Sequence, residues 1–262
     1  MDFRRGTLGR TGLSVCRLGV SGGYGAPAEA FEMAFERGVN YFYHGSRRAS
    51  GMNQAIRNIV ASGRRDDLIV VAQNYWRAFE WPFRRSFDAF LRKTVLEYVD
   101  VLLLGWHNSQ PAERFLDICR DLKTKGLLRF LAISGHRRPA FPEFARSGIY
   151  DVFHIRYNAV HTGAEKEVFP LLPSDSRPGI VIYTATSWGQ LLKPGSVPAG
   201  DRLPRASDAY RFVMTNPAVD VCMTGPKNLE QMKGALESLE RGPMSEDELA
   251  WMRRVGAHIH AR

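Results

Sequence analysis

Short runs of β-branched and aliphatic residues recur along the chain, and the stretches between them carry apolar residues at helical spacing. Eight runs read as strands: 17–20, 40–44, 68–73, 99–104, 130–134, 152–157, 180–184 and 219–224. Several are nearly continuous in apolar residues, the pattern of parallel strands buried on both faces. Between them, Phe87, Phe90, Leu91 and Val95 fall on one helical face. So do Phe115, Ile118, Cys119 and Leu122, and then Leu229, Met232, Leu236 and Leu239. Lys125-Gly126 supplies a helix stop. Ser245 with Glu248 has the spacing of a capping box and starts a last helix through Trp251 and Val255.

Strand and helix alternating throughout predict a parallel α/β fold. Eight units in 262 residues favour one closed (β/α)8 TIM barrel, residues 1–262, over two small domains or an open doubly wound sheet. No GxGxxG follows the first strand, which counts against the open sheet. Residues 3–20, FRRGTLGRTGLSVCRLGV, read as two short runs around a Gly-rich turn. They predict a β-hairpin closing the barrel's N-terminal end.

Composition narrows the class. Hydrophobic residues make up 44% and charged residues 24%, as in an ordinary globular chain. No apolar run reaches the roughly 18 residues of a membrane helix. The start, Met1-Asp2-Phe3-Arg4-Arg5, has no apolar segment behind it, so no membrane association and no secretory signal are expected. Cys16, Cys119 and Cys222 lack metal-ligand spacing, and read as reduced structural thiols in a cytoplasmic setting. Net charge is +9 and the pI near 9.7. The basic residues are scattered as pairs, without the aromatic-interleaved ribbon of a nucleic-acid site. A small anionic ligand, such as a phosphorylated cofactor, needs only a few of them.

Several segments together resemble the aldo-keto reductase family. They are LGRTGLSVCRLGV (8–20), EYVDVLLL (97–104), LKTKGLLRFLAISGH (122–136), VFHIRYN (152–158) and TGPKNLEQM (224–232). The resemblance runs along nearly the whole chain and implies NADP(H) as cofactor and hydride transfer to a carbonyl. In that family a tyrosine protonates the oxygen, a lysine lowers its pKa, an aspartate holds the lysine and a histidine orients the substrate. Here all four positions differ. NYFYHG (40–45) puts Tyr43 at the aspartate position, and Arg47 or Arg48 stands where the tyrosine belongs. VVAQN (70–74) offers Gln73 for the lysine, and LLLGWHN (102–108) offers Gly105 for the histidine. The catalytic tetrad is degenerate.

Three substitutes present themselves. Tyr43 is either a proton donor at the functional end of its strand or a buried tyrosine bonded to Gln73. His107 either reaches the barrel mouth or lies on the loop surface. His44, Arg47 and Arg48 either hold an anionic substrate group or face solvent. The cofactor half is better kept. The resemblance implies that Tyr183 stacks on the nicotinamide, that Ser134 and His154 flank its amide, and that TATSWGQLL (184–192), with Thr184, Trp188 and Gly189, meets the pyrophosphate. At GPKNLEQ (225–231) a strand feeds a helix N-terminus, a ready phosphate site. Gly225 opens it, Lys227 and Asn228 would meet the 2′-phosphate and Gln231 the adenine; taken alone, the same residues read as a capped helix with an exposed lysine. Compared with larger members of that family, the chain leaves little room for long loops after strands four and seven, which implies an open, shallow cofactor cleft.

Three functions follow from this reading. One is an NADP(H)-dependent oxidoreductase with a non-standard acid, acting on a small carbonyl or related molecule. Another is a nucleotide- or metabolite-binding sensor without hydride chemistry. The third is a cofactor-independent isomerase or lyase built on His44, Arg48 and His107.

Overall fold

The computed structural model describes residues 2–46 and 48–261; Arg47 lies outside the described residues. A hairpin of β1 (Arg5–Thr7) and β2 (Ser14–Cys16) precedes eight parallel strands. These are β3 (Leu18–Ser21), β4 (Tyr41–His44), β5 (Ile69–Asn74), β6 (Val99–Leu104), β7 (Leu128–Ser134), β8 (Val152–Arg156), β9 (Gly179–Tyr183) and β10 (Val221–Thr224). They pair in sequence order, and β10 returns to β3 to close the barrel. The strand bounds agree with the sequence reading to within two residues.

Each strand is buried on both faces because it separates two cores. Inward residues such as Tyr41, Ile69, Val71, Val101, Leu103, Ala132 and Val181 fill the barrel, and Leu8 and Val15 of the hairpin segment join them as a plug. Outward residues such as Phe42, Val70, Leu102 and Phe153 pack under the helices. The alternation along each strand decides which side chains reach the mouth: on β4, Tyr43 belongs with the inner set and His44 faces outward against Phe90.

The helices most relevant to the site are α3 (Glu80–Thr94), α4 (Glu113–Thr124), α7 (Ala206–Thr215), α8 (Leu229–Glu240) and α9 (Glu246–His260), with α1 (Ala28–Glu36), α2 (Ser50–Ala61), α5 (Ala140–Ser147) and α6 (Ala164–Glu167) completing the ring. On α3, Phe83, Phe87 and Phe90 form the buried stripe. Val95 corrects the expected pattern: it sits past the helix end at φ 57° and is 64% exposed. It takes the left-handed terminating position usually filled by glycine. Gly126 fills that role for α4, at φ 70°. Ser245 and Glu248 form the expected capping box of α9.

Two charged arrangements hold the frame. At the N-terminal rim, Asp100, Asp151 and Asp220 each accept the backbone N–H of the preceding strand, from Val70, Leu131 and Ile180 respectively. Asn40 does the same for the hairpin at Cys16. Each carboxylate is also paired: Asp100 with Arg65 and Arg129, Asp151 with Lys123 and Arg10, Asp220 with Arg177. Elsewhere, Asp208 at the start of α7 is fully buried and accepts from Arg202, Arg241 and the Arg205 amide. Arg211 and Arg241 continue this network to Glu248 of α9.

Candidate functional site

The C-terminal ends of the strands surround a cavity of about 430 Å³. Tyr43, Gln73, Ser134, His154 and Tyr183 project into it from β4, β5, β7, β8 and β9. A second hollow of about 410 Å³ runs outward over the ends of β9 and β10 to the start of α8, past Lys227 and Gln231. Tyr24, Thr184, Trp188, Met223, Thr224 and Gly225 line both, so the two are halves of one groove.

The inner half is lined by hydroxyls, amides, imidazoles and apolar groups. Among the described residues lining it there is no Asp, Glu, Lys or Arg. The Tyr43 hydroxyl donates to Gln73 Oε1. Burial, followed by the neighbouring Tyr75 hydroxyl, pushes its pKa well above the usual phenol value. A side chain at 105 would begin inside the Gln73 amide, so Gln73 fills the room that glycine leaves. The two residues are sterically coupled. Gly45 is equally confined, under the Tyr43 ring.

His154 is 3% exposed, and its Nε2 lies 2.9 Å from the Tyr41 hydroxyl. Burial alone lowers its pKa to about 3. The folded chain therefore refuses a proton that the unfolded chain takes below its ordinary pKa of 6.5. Stability from this residue is whole above pH 6.5 and falls as pH drops toward 3, by about 1.4 kcal/mol per pH unit. The urea midpoint is expected to fall more steeply between pH 7 and pH 5 in the wild type than in His154→Gln. Parallel falls would mean that His154 is not buried neutral.

The cofactor-half residues keep the following places. Ser134 Oγ accepts the Trp106 amide at 3.1 Å. Tyr183 donates to the Gly135 carbonyl at 3.1 Å, and burial raises its pKa to about 12. Beyond it the chain turns through left-handed backbone at Thr184, Ser187, Trp188 and Gly189, which leaves the Trp188 indole 73% exposed at the junction of the two halves. The Tyr24 ring covers Gly225 so closely that a Cβ there would strike it. Asn228 caps α8 by accepting the Gln231 amide at 2.9 Å, and Gln231 Oε1 accepts the Lys227 amide at 2.9 Å. Lys227 is exposed beside the groove.

The remaining candidates stand apart from the cavity. Trp106 adopts φ 62° and lies at the mouth, while His107 lines a separate open depression with Arg77 and Gln110. Burial and Arg77 lower the His107 pKa to about 4. Arg48 is exposed and lines neither half. His44 borders a third hollow of about 400 Å³, outside the barrel wall, with Phe87, Phe90 and Lys93. The cluster of His44, Arg48 and His107 is thus not gathered at one point. Sequence reasoning passed over Tyr24, Tyr75, Trp106 and His136, all of which line the cavity. Each follows closely on the C-terminal end of a strand, and that position was the available signal.

No protein-family model matches the chain, and no curated protein is significantly similar to it. Solved structures are similar to it. With the aldo-keto reductase AKR11C1 of Bacillus halodurans, holo form, the chain superposes at a TM-score of 0.78 and 19% identity, over 96% of both chains. The apo form of that protein gives 0.76 and 18%, over 96% of this chain and 95% of that one. An aldo/keto reductase of Klebsiella pneumoniae, in complex with NADP and acetate, also gives 0.76 and 18%, over 96% and 95%. At such identities the likeness is one of architecture, and it is unambiguous: the chain has the fold of the aldo-keto reductases.

Proposed function

We propose that this chain is an NADP(H)-binding oxidoreductase of the aldo-keto reductase type whose catalytic tetrad is degenerate, acting on a small carbonyl or related molecule in a cytoplasmic setting. The observation that carries the proposal is the continuous groove from Tyr43 and Tyr183 to the N-terminus of α8. One end holds a chamber without Asp, Glu, Lys or Arg among its described lining residues, and the other a lysine at a helix start, where amides and dipole favour a phosphate. The NADP complex of the Klebsiella pneumoniae protein supports the same choice of nucleotide.

The groove fits such a cofactor in chemistry. Tyr183 and Trp188 offer aromatic faces, Ser134 and His154 polar atoms, and Lys227 a cation for a 2′-phosphate. When bound, the cofactor supplies the hydride. Gln231 has a prior engagement with the Lys227 amide, so it orders the loop as well as offering a face to adenine. Tyr43 is the hydroxyl placed to donate to a substrate oxygen, without a cation to assist it.

Lys227→Ala tests the nucleotide reading. A charge-assisted phosphate contact contributes about 1.5–3 kcal/mol. NADPH affinity, followed by tryptophan quenching, is expected to fall roughly ten-fold or more, while NADH affinity hardly changes. An equal loss for both nucleotides, or binding of neither, would remove the nucleotide from the proposal.

A second reading keeps the nucleotide but omits hydride transfer, making the chain a sensor or partner protein. The observation in its favour is the bond from Tyr43 to Gln73, which leaves the hydroxyl unassisted. Turnover separates the two readings.

A further inference from the structure

The hollow of about 400 Å³ outside the barrel wall lies between the ends of β4 and β5 and the flank of α3. Ala72 and Leu102 floor it from the strands, and Phe87 and Phe90 from the helix. His44, Tyr75 and Trp76 add three further rings, and His44 meets Phe90 edge to face at 4.8 Å. The frame is held in place by Asn74, which is buried among these elements. Its amide donates to the Phe83 carbonyl and to Ser86 Oγ, both at 3.0 Å, and its oxygen accepts the Trp76 amide at 2.9 Å. Gln73 and Tyr75 line this hollow and the inner cavity alike, and so form a wall between them. None of its lining residues belongs to the outer half of the groove around Lys227.

Lys93 is the only Lys, Arg, Asp or Glu among the described residues that line the hollow. Ser86, Ala89, Phe90 and Lys93 follow one another at i, i+3, i+4 and i+7, so the lysine stem lies on the lining face of α3. Helical side chains lean toward the N-terminus, which carries the ammonium back toward the rings. The helix end does not occupy it. Thr94 Oγ1 donates to the Phe90 and Leu91 carbonyls, and Arg57 donates to the carbonyl of Lys93 itself. No carboxylate pairs with Lys93 or Arg57 among the described residues. The facing helix α2 contains no Asp or Glu. On α3, Glu80 and Asp88 fall outside the lining face, and Glu97 lies beyond the left-handed turn at Val95. Glu32 of α1 is bonded by Asn58.

We propose that this hollow is a second binding site, for a small aromatic carboxylate whose ring lies among Phe87, Phe90, His44 and Trp76 and whose carboxylate meets Lys93 Nζ. The volume is in the range of pockets that hold small molecules, and most of the lining is apolar or aromatic, as such pockets require. Rings favour rings beyond simple burial, because their edges and faces carry opposite partial charge. An ammonium without a partner at the border of an apolar pocket selects an anion, and a planar carboxylate is the compact one. An occupant would sit behind Gln73, which accepts the Tyr43 hydroxyl on the cavity side. The site is thus separate from the groove and shares a wall with it.

Calorimetric titration with benzoate, in the absence of nucleotide, tests the proposal independently of the reading of Lys227. Benzoate is expected to bind saturably with a Kd of about 1 mM or tighter. Cyclohexanecarboxylate, with the same charge and no aromatic face, should bind about three-fold more weakly or worse. Lys93→Met keeps the stem and removes the charge, and should weaken benzoate about five-fold. Ala89→Phe puts a ring into the hollow and should abolish binding, with the circular dichroism unchanged. Should that variant fold poorly, Lys93→Met, altered at an exposed position, carries the test alone. Absence of benzoate binding overturns the proposal. So does binding that Lys93→Met or a folded Ala89→Phe leaves intact, which would place the benzoate elsewhere. Equal affinity for benzoate and cyclohexanecarboxylate would overturn the choice of an aromatic ligand.

Discussion

With NADPH saturating, turnover of simple aldehydes by this chain is expected to stay at or below about 0.1 s⁻¹, two or more orders under the typical enzyme. The reason is the state of Tyr43. Its proton is committed to Gln73 Oε1, and burial together with Tyr75 raises its pKa well above the usual value. No Asp, Glu, Lys or Arg among the described residues lines the chamber to reverse this. General acid assistance contributes typically 10²- to 10⁴-fold, and an unassisted phenol supplies little of it near neutral pH. Tyr43→Phe should bring the residual rate to background with little change of shape. Between pH 6 and pH 9 the wild-type rate should show no inflection from Tyr43 or His107, because Tyr43 titrates above that range and His107, at about 4, below it. Turnover near 10 s⁻¹ that survives Tyr43→Phe would place the chemistry elsewhere. An unchanged residual rate in the variant would exclude Tyr43 as the donor.

The second large effect falls on stability. Asp208→Ala should destabilise the fold by about 3 kcal/mol, since a fully buried position loses the acceptor of the Arg205 amide and of two part-exposed guanidinium groups, Arg202 and Arg241. In a chain of this size that corresponds to a fall in Tm of roughly 10 °C. Burial alone would raise the Asp208 pKa, but the bonds from Arg202, the Arg205 amide and Arg241 together hold it below the ordinary carboxylate value. The stabilisation is therefore present above the unfolded pKa and lost as pH falls through the folded one. Urea midpoints of wild type and variant should differ widely at pH 7 and converge in acid. A gap that persists in acid would assign the loss to packing alone.

How much could be read in advance depended on the kind of residue. The strands were legible because burial on two faces leaves nearly unbroken apolar runs, as in VDVLLL of β6. Helix ends were legible where a dedicated residue marks them, such as Gly126, and not where Val95 takes a left-handed turn. The inward-facing residues at the strand ends were legible because alternation along a strand fixes which side chains enter the barrel, so Tyr43 meets Gln73 and Gln73 lies over Gly105 as the register requires. The loops were not legible. His107 is two residues beyond Gly105, yet the left-handed backbone at Trp106 puts the indole at the cavity and the imidazole in a separate depression. Nor did the sequence reveal that Gln73 occupies the space above Gly105, since that contact crosses from one strand to its neighbour.

The carboxylates at the N-terminal rim bear on how freely this chain can vary. Asp100, Asp151 and Asp220 each tie their own strand to the one before it, and Asn40 ties the hairpin, so every second barrel strand carries its own alignment device. Three two-stranded staves, β5–β6, β7–β8 and β9–β10, are thus keyed at the end away from the cavity, and β4 is keyed there to the hairpin. A key at that end places no demand on residues at the other. Tyr43, Gln73 and Gly105, and the loops around them, can be exchanged while the strands stay aligned. Tolerance of change is in this sense built into one rim, and novelty is free to accumulate at the opposite one.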